Sequence, residues 1–475
     1  MKKIYLSILP LSFFLFFGGC VNQRANINKN ETQELISNEF KYKDCNIIFV
    51  SLDALQAKFV HTLGYPKKIT PTIDRLAEKS FVFTNAISVS SWTVPSTMSF
   101  FTGVYPSEHK LVNKFSLYDP PLKKIANLKN LSPRLITLAE ILKENGYVTA
   151  GFTGGAGVSG VFGFNQGFDV YIDDVKFGNL DYSIPGALAW LNKNKNRKFF
   201  IFLHGYDVHG QSEPSGGFDY RYVDKTYDYK FKGTKKEQEA LREEGLSQGK
   251  IILRDNDVKF WRAVYEEKIN RMDSALDRFL TEIEKLNLMQ NTILFVVSDH
   301  GTEFWEHNRF DHGFTLYDEL IRIPLIIKLP NQATGKRIAD QVTSVDILPT
   351  ILDLLDIGVS GSVKNQLRGM SLTPAFYNLK ISRDVYAESD YRRYTYKRAL
   401  RTVDGWKFIY TLENKDKELY DLRNDPGETI NLFERRPRIA YELEQKLFRF
   451  IKSTGQDEFG PWVTGNYPVY DSQAQ

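Results

Sequence analysis

Three short apolar runs constrain this chain more than any other feature: Asn46–Leu52 (NIIFVSL), Phe199–Leu203 (FFIFL) and Ile293–Val297 (ILFVV). Rich in β-branched and aromatic residues, each has the length and composition of a strand buried on both faces, the pattern of a parallel sheet covered by helices. Each also ends in chemically active residues. Asn46–Leu52 runs into Asp53. Phe199–Leu203 runs into His204, Gly205, Tyr206, Asp207, Val208 and His209. Ile293–Val297 runs into Ser298, Asp299, His300 and Gly301. In open α/β sheets a ligand sits outside the carboxyl ends of the strands, so these residues stand where a site is expected. Asp311, His312 and Gly313 come one loop later, and five of the seven histidines lie in these loops, leaving His61 and His109 outside. An Asp-His pair at a strand end with a second His on the next loop can ligate a metal. Taken alone, Asp-His-Gly is equally an ordinary turn.

The intervening segments alternate in the way a doubly covered sheet requires. Tyr147–Phe152 and Pro324–Leu329 read as further strands. Helices are expected over Thr70–Glu78, with Pro71 at the first position, and over Leu135–Gly146, Phe260–Leu288 and Val345–Leu355. In Ser90–Gly103 (SSWTVPSTMSFFTG), Pro95 and Ser96 can open a helix and place Thr93 at its N-terminal end. A hydroxyl there feels a positive local potential, which favours its deprotonated form and a bound oxyanion; a plain N-cap is the other reading. The Gly-rich loop Thr153–Gly160 lacks the Lys-Ser/Thr ending of a phosphate-binding P-loop. Residues 210–250 form a polar excursion suited to a substrate rim. After about residue 380 short alternating runs suggest antiparallel strands, closed by a helix over Ala440–Lys452. The fold class expected is therefore α/β, a mostly parallel central sheet with helices on both faces, plus a small C-terminal antiparallel α+β subdomain.

The N-terminus carries Lys2 and Lys3, then the apolar run Ile4–Phe17, then Gly18, Gly19 and Cys20. The run is short for a membrane span and fits a signal peptide. Small residues before a Cys resemble a bacterial lipoprotein signal, with Cys20 lipidated after cleavage; a plain secretory signal is the alternative. The expected organisation is a signal over 1–19, a tether over 20–43, a catalytic domain over 44–375 and a C-terminal subdomain over 376–475. Asn22 leans the expected location toward an outer membrane or cell surface. The only other cysteine is Cys45, so no intrachain disulfide is expected once Cys20 is acylated. A net charge of +4 is too small to argue for nucleic acid, and no basic block argues for it either.

Read together, the motifs resemble the sulfatase family within the alkaline-phosphatase-like superfamily. The resemblance spans Asn46–Leu432. It rests on VSLD at 50–53, TPTIDRLAEKSFVFTNA at 70–86, SWTVPST at 91–97, LHGYDVHG at 203–210, NTILFVVSDHG at 291–301, HGFTLYDELIRIPLIIKLP at 312–330 and ELYDLRNDPGETINL at 418–432. The resemblance implies a metal held by Asp53, Asp299 and His300, with Thr93 as nucleophile and a further metal contact. It places His209, His312 and Asp207 across the reacting group, as ligands of a second metal or, for the two histidines, as catalytic groups. One or two divalent ions (Zn, Mn, Mg or Ca) are implied.

Four departures from the family pattern stand out. The Cys/Ser-x-Pro-Ser-Arg motif, whose first residue is oxidised to formylglycine, is here Thr93-Val94-Pro95-Ser96-Thr97. The Lys-x-His motif is absent, Phe152–Ala156 reading FTGGA. The Asp-Asn pair is Asp299-His300, and the paired acids of the first strand are Asp53-Ala54. A Thr nucleophile with Asp-His ligands is more similar to the phosphodiesterase and phosphoglycerol- or phosphoethanolamine-transferase branches. The leading expectation is thus a cell-envelope hydrolase or transferase cleaving a phosphoric ester. The alternatives are a sulfatase acting on a sulfated glycan or small ester, and a non-catalytic surface protein that binds anionic glycan or lipid.

Overall fold

Asn46–Leu52 (β1) is buried along its whole length. Its side chains alternate between two cores, Ile47 and Phe49 facing one and Ile48 and Val50 the other. The strand is therefore the centre of a sheet covered on both faces. The computed structural model describes residues 40–455, apart from 113–116, 120–123, 127–129, 215, 360 and 393. The expected signal segment, Cys20 and most of the tether lie outside the described residues. Among the described residues no helix is long and apolar enough to cross a membrane.

The other strands of the sheet are Phe81–Ile87 (β2), Val148–Phe152 (β3), Val170–Ile172 (β4), Phe199–Gly205 (β5), Thr292–Val297 (β6), Arg322–Lys328 (β7) and Lys336–Thr343 (β8). Their spatial order is β8-β2-β7-β6-β1-β5-β3-β4. β7 runs antiparallel to β2 and β6, and the other pairings are parallel. Ser51 of β1 pairs with His204 of β5 on one side and Val297 of β6 on the other. That register brings the ends of the three central strands level, so Asp53, His204 and Asp299 emerge at one edge.

Four helices matter for the site: Thr93–Thr102 (α1), Leu180–Asn194 (α2), Lys235–Gln248 (α3) and Asp255–Lys285 (α4). The buried α1 covers one face of the sheet and the long α4 the other. Phe49 is packed by Phe100, Phe202 and Phe295 at ring-centroid distances of 5.6, 5.8 and 5.9 Å, which seats α1 directly over β1. A four-stranded antiparallel sheet completes the fold, with Val385–Tyr391 (β9), Thr395–Arg401 (β10), Trp406–Thr411 (β11) and Lys417–Asp421 (β12) in sequential order. Helix Pro437–Ser453 (α5) lays Leu443, Leu447 and Ile451 against Phe408 and Leu419 of this sheet. β9 is stitched to the main sheet's active edge. Glu388 N–H donates to the Val89 carbonyl (2.8 Å) and Ser389 Oγ to the Gly313 carbonyl (2.5 Å).

The expected fold class holds, with four elements the sequence concealed. β2 and β8 carry polar residues at mid-strand (Thr84, Asn85, Asp340, Gln341), because this end of the sheet is only partly covered. α2 contains Pro185 and Gly186, residues that disfavour a helix interior. The polar excursion is not all loop: α3 starts at a capping box in which Thr234 and Glu237 satisfy each other's backbone N–H groups.

Candidate active site

Asp53 follows β1, Asp299 and His300 follow β6, and Thr93 is the first residue of α1, aimed at the same point. Asp53, Asp299 and His300 are fully buried, and one ligand atom from each lies within 4.8 Å of the others. The backbone fixes their orientation. Asp299 Oδ1 accepts N–H bonds from Ala54 (3.1 Å) and His300 (2.9 Å), which leaves Oδ2 without a partner. His300 Nδ1 sits 2.7 Å from the Gly301 carbonyl. A carbonyl only accepts, so Nδ1 carries the proton and Nε2 presents a lone pair to the cluster. That lone pair is 3.5 Å from Asp299 Oδ2 and 3.3 Å from Thr93 Oγ1. Thr93 Oγ1 donates to Asp53 Oδ2 at 3.1 Å, and Asp53 Oδ1 is unpartnered. Burial, and next the facing Asp299 carboxylate, push the Asp53 pKa well above its usual range. Two orphaned carboxylate oxygens and an imidazole lone pair converging in a buried site fit a divalent cation, which would satisfy all three and remove the repulsion.

A cavity of about 180 Å³ opens over Thr93. Its far side carries the two histidines expected there. His209 Nδ1 accepts the Gln211 N–H (3.2 Å), so in the neutral ring Nε2 holds the proton. His312 Nδ1 is tightly bonded to Asp311 Oδ1. Asp311 is buried, which opposes ionisation, yet the His312 charge holds it ionised far below the usual carboxylate range. The His312 ring lies 4.6 Å from that of His300 and 4.8 Å from that of His209. The Gly-rich loop reaches the cavity too. A Cβ on Gly157 would come within 3.2 Å of Thr93 Cβ and 3.0 Å of Tyr206 Oη, so any side chain there would crowd the nucleophile position and force its neighbours to shift by a few tenths of an ångström.

One expected ligand lies elsewhere. Asp207 Oδ2 accepts the Leu180 N–H at 2.9 Å, anchoring the start of α2, and the side chain faces a separate cleft. Burial raises its pKa to about 7. The peptide turns at Tyr206, so acid and histidine two residues apart leave on opposite sides. The sequence motifs also gave no site role to His204. It is fully buried with both ring nitrogens unpartnered and Nε2 3.5 Å from Asp53 Oδ2, and burial lowers its pKa to about 4, leaving it neutral. Its position at the end of β5 was the available signal.

Residues 45–357 match the family model of the sulfatases. The chain belongs to the sulfatase family. Residues 305–453 also match a model described as N-sulphoglucosamine sulphohydrolase, C-terminal. The sulfatase-family chain is 24% identical over 462 residues to arylsulfatase K of Canis lupus familiaris, an alignment covering 86% of this chain and 82% of that protein. It is also 24% identical over 552 residues to an N-acetylglucosamine-6-O-sulfatase of Bacteroides thetaiotaomicron, covering 94% and 90%. Among solved structures, one determined in complex with its substrate D-glucosamine-2-N,6-O-disulfate superposes with a TM-score of 0.65 at 21% identity, covering 86% of this chain and 98% of that one. The phosphonate monoester hydrolase of Agrobacterium radiobacter superposes with a TM-score of 0.68 at 16% identity, covering 86% and 96%. These structural likenesses establish the fold. By family the chain is an ester hydrolase of the alkaline-phosphatase-like superfamily, whose sulfatases bind a divalent metal.

Glu303 and His307, close in sequence to the metal loop, belong to a different cluster. His307 stacks on Tyr317 at 3.6 Å, with Nε2 3.7 Å from Glu319 Oε2. Burial, and next the Glu319 charge, raise the Glu303 pKa from 4.5 to about 8. The folded protein thus keeps a proton that the unfolded chain releases, so stability falls as pH rises from 4.5 to about 8 and is level above that. Glu303→Gln is expected to match wild type in thermal melts near pH 4.5. By pH 9 it should be more stable by at most about 4 kcal/mol. Parallel pH profiles for the two proteins would overturn this assignment.

Proposed function

We propose that this sulfatase-family protein hydrolyses a sulfuric ester on an anionic saccharide, with Thr93 as nucleophile. The carrying observation is Thr93 Oγ1, held between Asp53 Oδ2 and His300 Nε2 at the first position of a buried helix. Arylsulfatase K and the N-acetylglucosamine-6-O-sulfatase act by their names on sulfate esters, which supports the sulfuric reading.

Bound to Asp53, Asp299 and His300, a divalent ion would supply Lewis-acid stabilisation of an alkoxide and of the ester's oxygens. The protein's own groups do the rest. Thr93 gives its proton to the Asp53 carboxylate, and its oxygen attacks sulfur. A new O–S bond forms as the bond to the alcohol breaks. The departing oxygen takes a proton from His209 or His312, which face it from across the cavity. The α1 N-terminus stabilises charge on the equatorial oxygens. Water then gives a proton to the deprotonated histidine and attacks the sulfur of the Thr93 ester; the Thr93 O–S bond breaks, and the Thr93 oxygen takes its proton back from Asp53. The net reaction is ester plus water to alcohol plus hydrogen sulfate.

A second reading, phosphoric ester hydrolysis, is favoured by Thr93 itself. Threonine cannot become formylglycine, and a threonine phosphoester is cleared by the same in-line chemistry that forms it. Initial rates on matched aryl sulfate, phosphomonoester and phosphodiester substrates, with metal supplied, decide between them. Faster sulfate turnover sustains the sulfuric reading; faster phosphoester turnover replaces it. Absence of turnover on all three would return the protein to the ligand-binding alternative. Attachment to an envelope membrane through a lipidated Cys20 completes the proposal and is tested by radiolabelled fatty-acid incorporation in wild type and Cys20→Ala.

A further inference from the structure

The family motifs that would supply cations to this cavity are missing here. Thr97 stands where the motif has arginine, and the loop after β3 has no Lys-x-His. Two arginines nevertheless line the cavity over Thr93, and both come from segments outside those motifs. Arg242 lies on α3, in the polar excursion. Arg392 lies in the turn between β9 and β10. Arg242 is 8% exposed, and its Nε has no hydrogen-bond partner. Its Nη1 is 3.5 Å from Asp311 Oδ2 and its Nη2 3.2 Å from Glu243 Oε1. Arg392 Nη1 grips the same Glu243 oxygen, so one half-exposed glutamate holds the two guanidinium groups side by side.

A buried, permanently charged guanidinium with an unsatisfied N–H is costly unless an anion completes it. The planar fork matches the paired oxygens of a carboxylate or sulfate. The reacting group is already served by Thr93, the acid-His cluster and the two histidines. We propose that Arg242 and Arg392 form a specificity site for a second anionic group on the substrate, a carboxylate or sulfate carried by the sugar bearing the scissile ester or by its neighbour. This rests on the hydrolase reading and extends it: the preferred substrate is polyanionic, and its recognition comes from the excursion and the C-terminal sheet.

The test uses the full protein and whichever ester, sulfuric or phosphoric, it turns over. The values of kcat/KM are compared for a monosaccharide carrying that ester alone and for the same monosaccharide with an added sulfate. Wild type should prefer the dianionic substrate by about tenfold or more, one bidentate contact's worth. Arg392→Ala and Arg242→Lys should each shrink that ratio at least fivefold, mostly through KM. Binding of the monosaccharide carrying the added sulfate to Thr93→Ala, measured by calorimetry with and without Arg392→Ala, gives a readout that needs no turnover. It therefore separates failure of this inference from failure of the hydrolase assignment. A wild-type ratio near one, a ratio unchanged in both arginine variants, or binding indifferent to Arg392 would each overturn the inference.

Discussion

Thr93→Ala is expected to lower kcat/KM by about 10⁴-fold or more while the protein stays folded and keeps its metal. The size of the loss reflects the hydroxyl's position. It is 6% exposed, tied to Asp53 and adjacent to His300, and Thr93 is the only serine or threonine among the described residues lining the cavity. Tyr206 Oη is close but accepts the Gly157 N–H (2.8 Å), and burial raises its pKa well above normal, so it is a poor substitute nucleophile. Removing the hydroxyl leaves the Asp53, Asp299 and His300 ligand atoms in place, so metal content measured by plasma mass spectrometry should be unchanged. Thr93→Ser should retain a measurable fraction of the rate, because a primary hydroxyl can fill the same position. Quenched wild-type enzyme should yield a Thr93-containing peptide heavier by one sulfo or phosphoryl group. Thr93→Ala retaining a tenth of wild-type activity would show that another group attacks.

Much of this site was readable because it sits at strand ends. The runs at β5 and β6 are apolar without interruption and that at β1 is broken only by Ser51 before Leu52, so their carboxyl ends could be located to a residue or two. The register Ser51–His204 and Ser51–Val297 then puts the residues just past those ends at one edge. Thr93 was placed by Pro95, because proline is best tolerated in the first turn of a helix. Direction and distance escaped. Asp207 and His209 are two residues apart in sequence, and nothing local says that one caps α2 while the other faces the cavity. His204 reads as following the Phe199–Leu203 strand, but its burial against Asp53 is a tertiary fact. Arg242 and Arg392 lie 150 positions apart on the periphery of the pattern. Only the packing of α3 and of the β9–β10 turn over the same opening brings them together.

Asp299→Asn is expected to abolish tight metal binding and lower activity by a factor comparable to that of Thr93→Ala, since it removes one of the two carboxylates that neutralise the ion. Its effect on the metal-free protein should have the opposite sign. Without a cation, Asp53 and Asp299 face each other in a fully buried site, and burial together with that neighbour drives the Asp53 pKa well above its ordinary value. A carboxyl whose folded pKa is raised stabilises the fold while it is protonated. That contribution is lost as pH rises from the unfolded toward the folded value. Chelator-treated wild type should therefore lose thermal stability as pH increases, and added metal should restore it by mass action. In Asp299→Asn the repulsion is gone. Its apo form should melt at or above the wild-type apo temperature at pH 8, with a flatter pH dependence and no response to metal. If Asp299→Asn were instead less stable than apo wild type across the whole pH range, the carboxylate pair would be a structural hydrogen-bonding unit rather than a cation site, and the ligand assignment for Asp53 and His300 would fall with it.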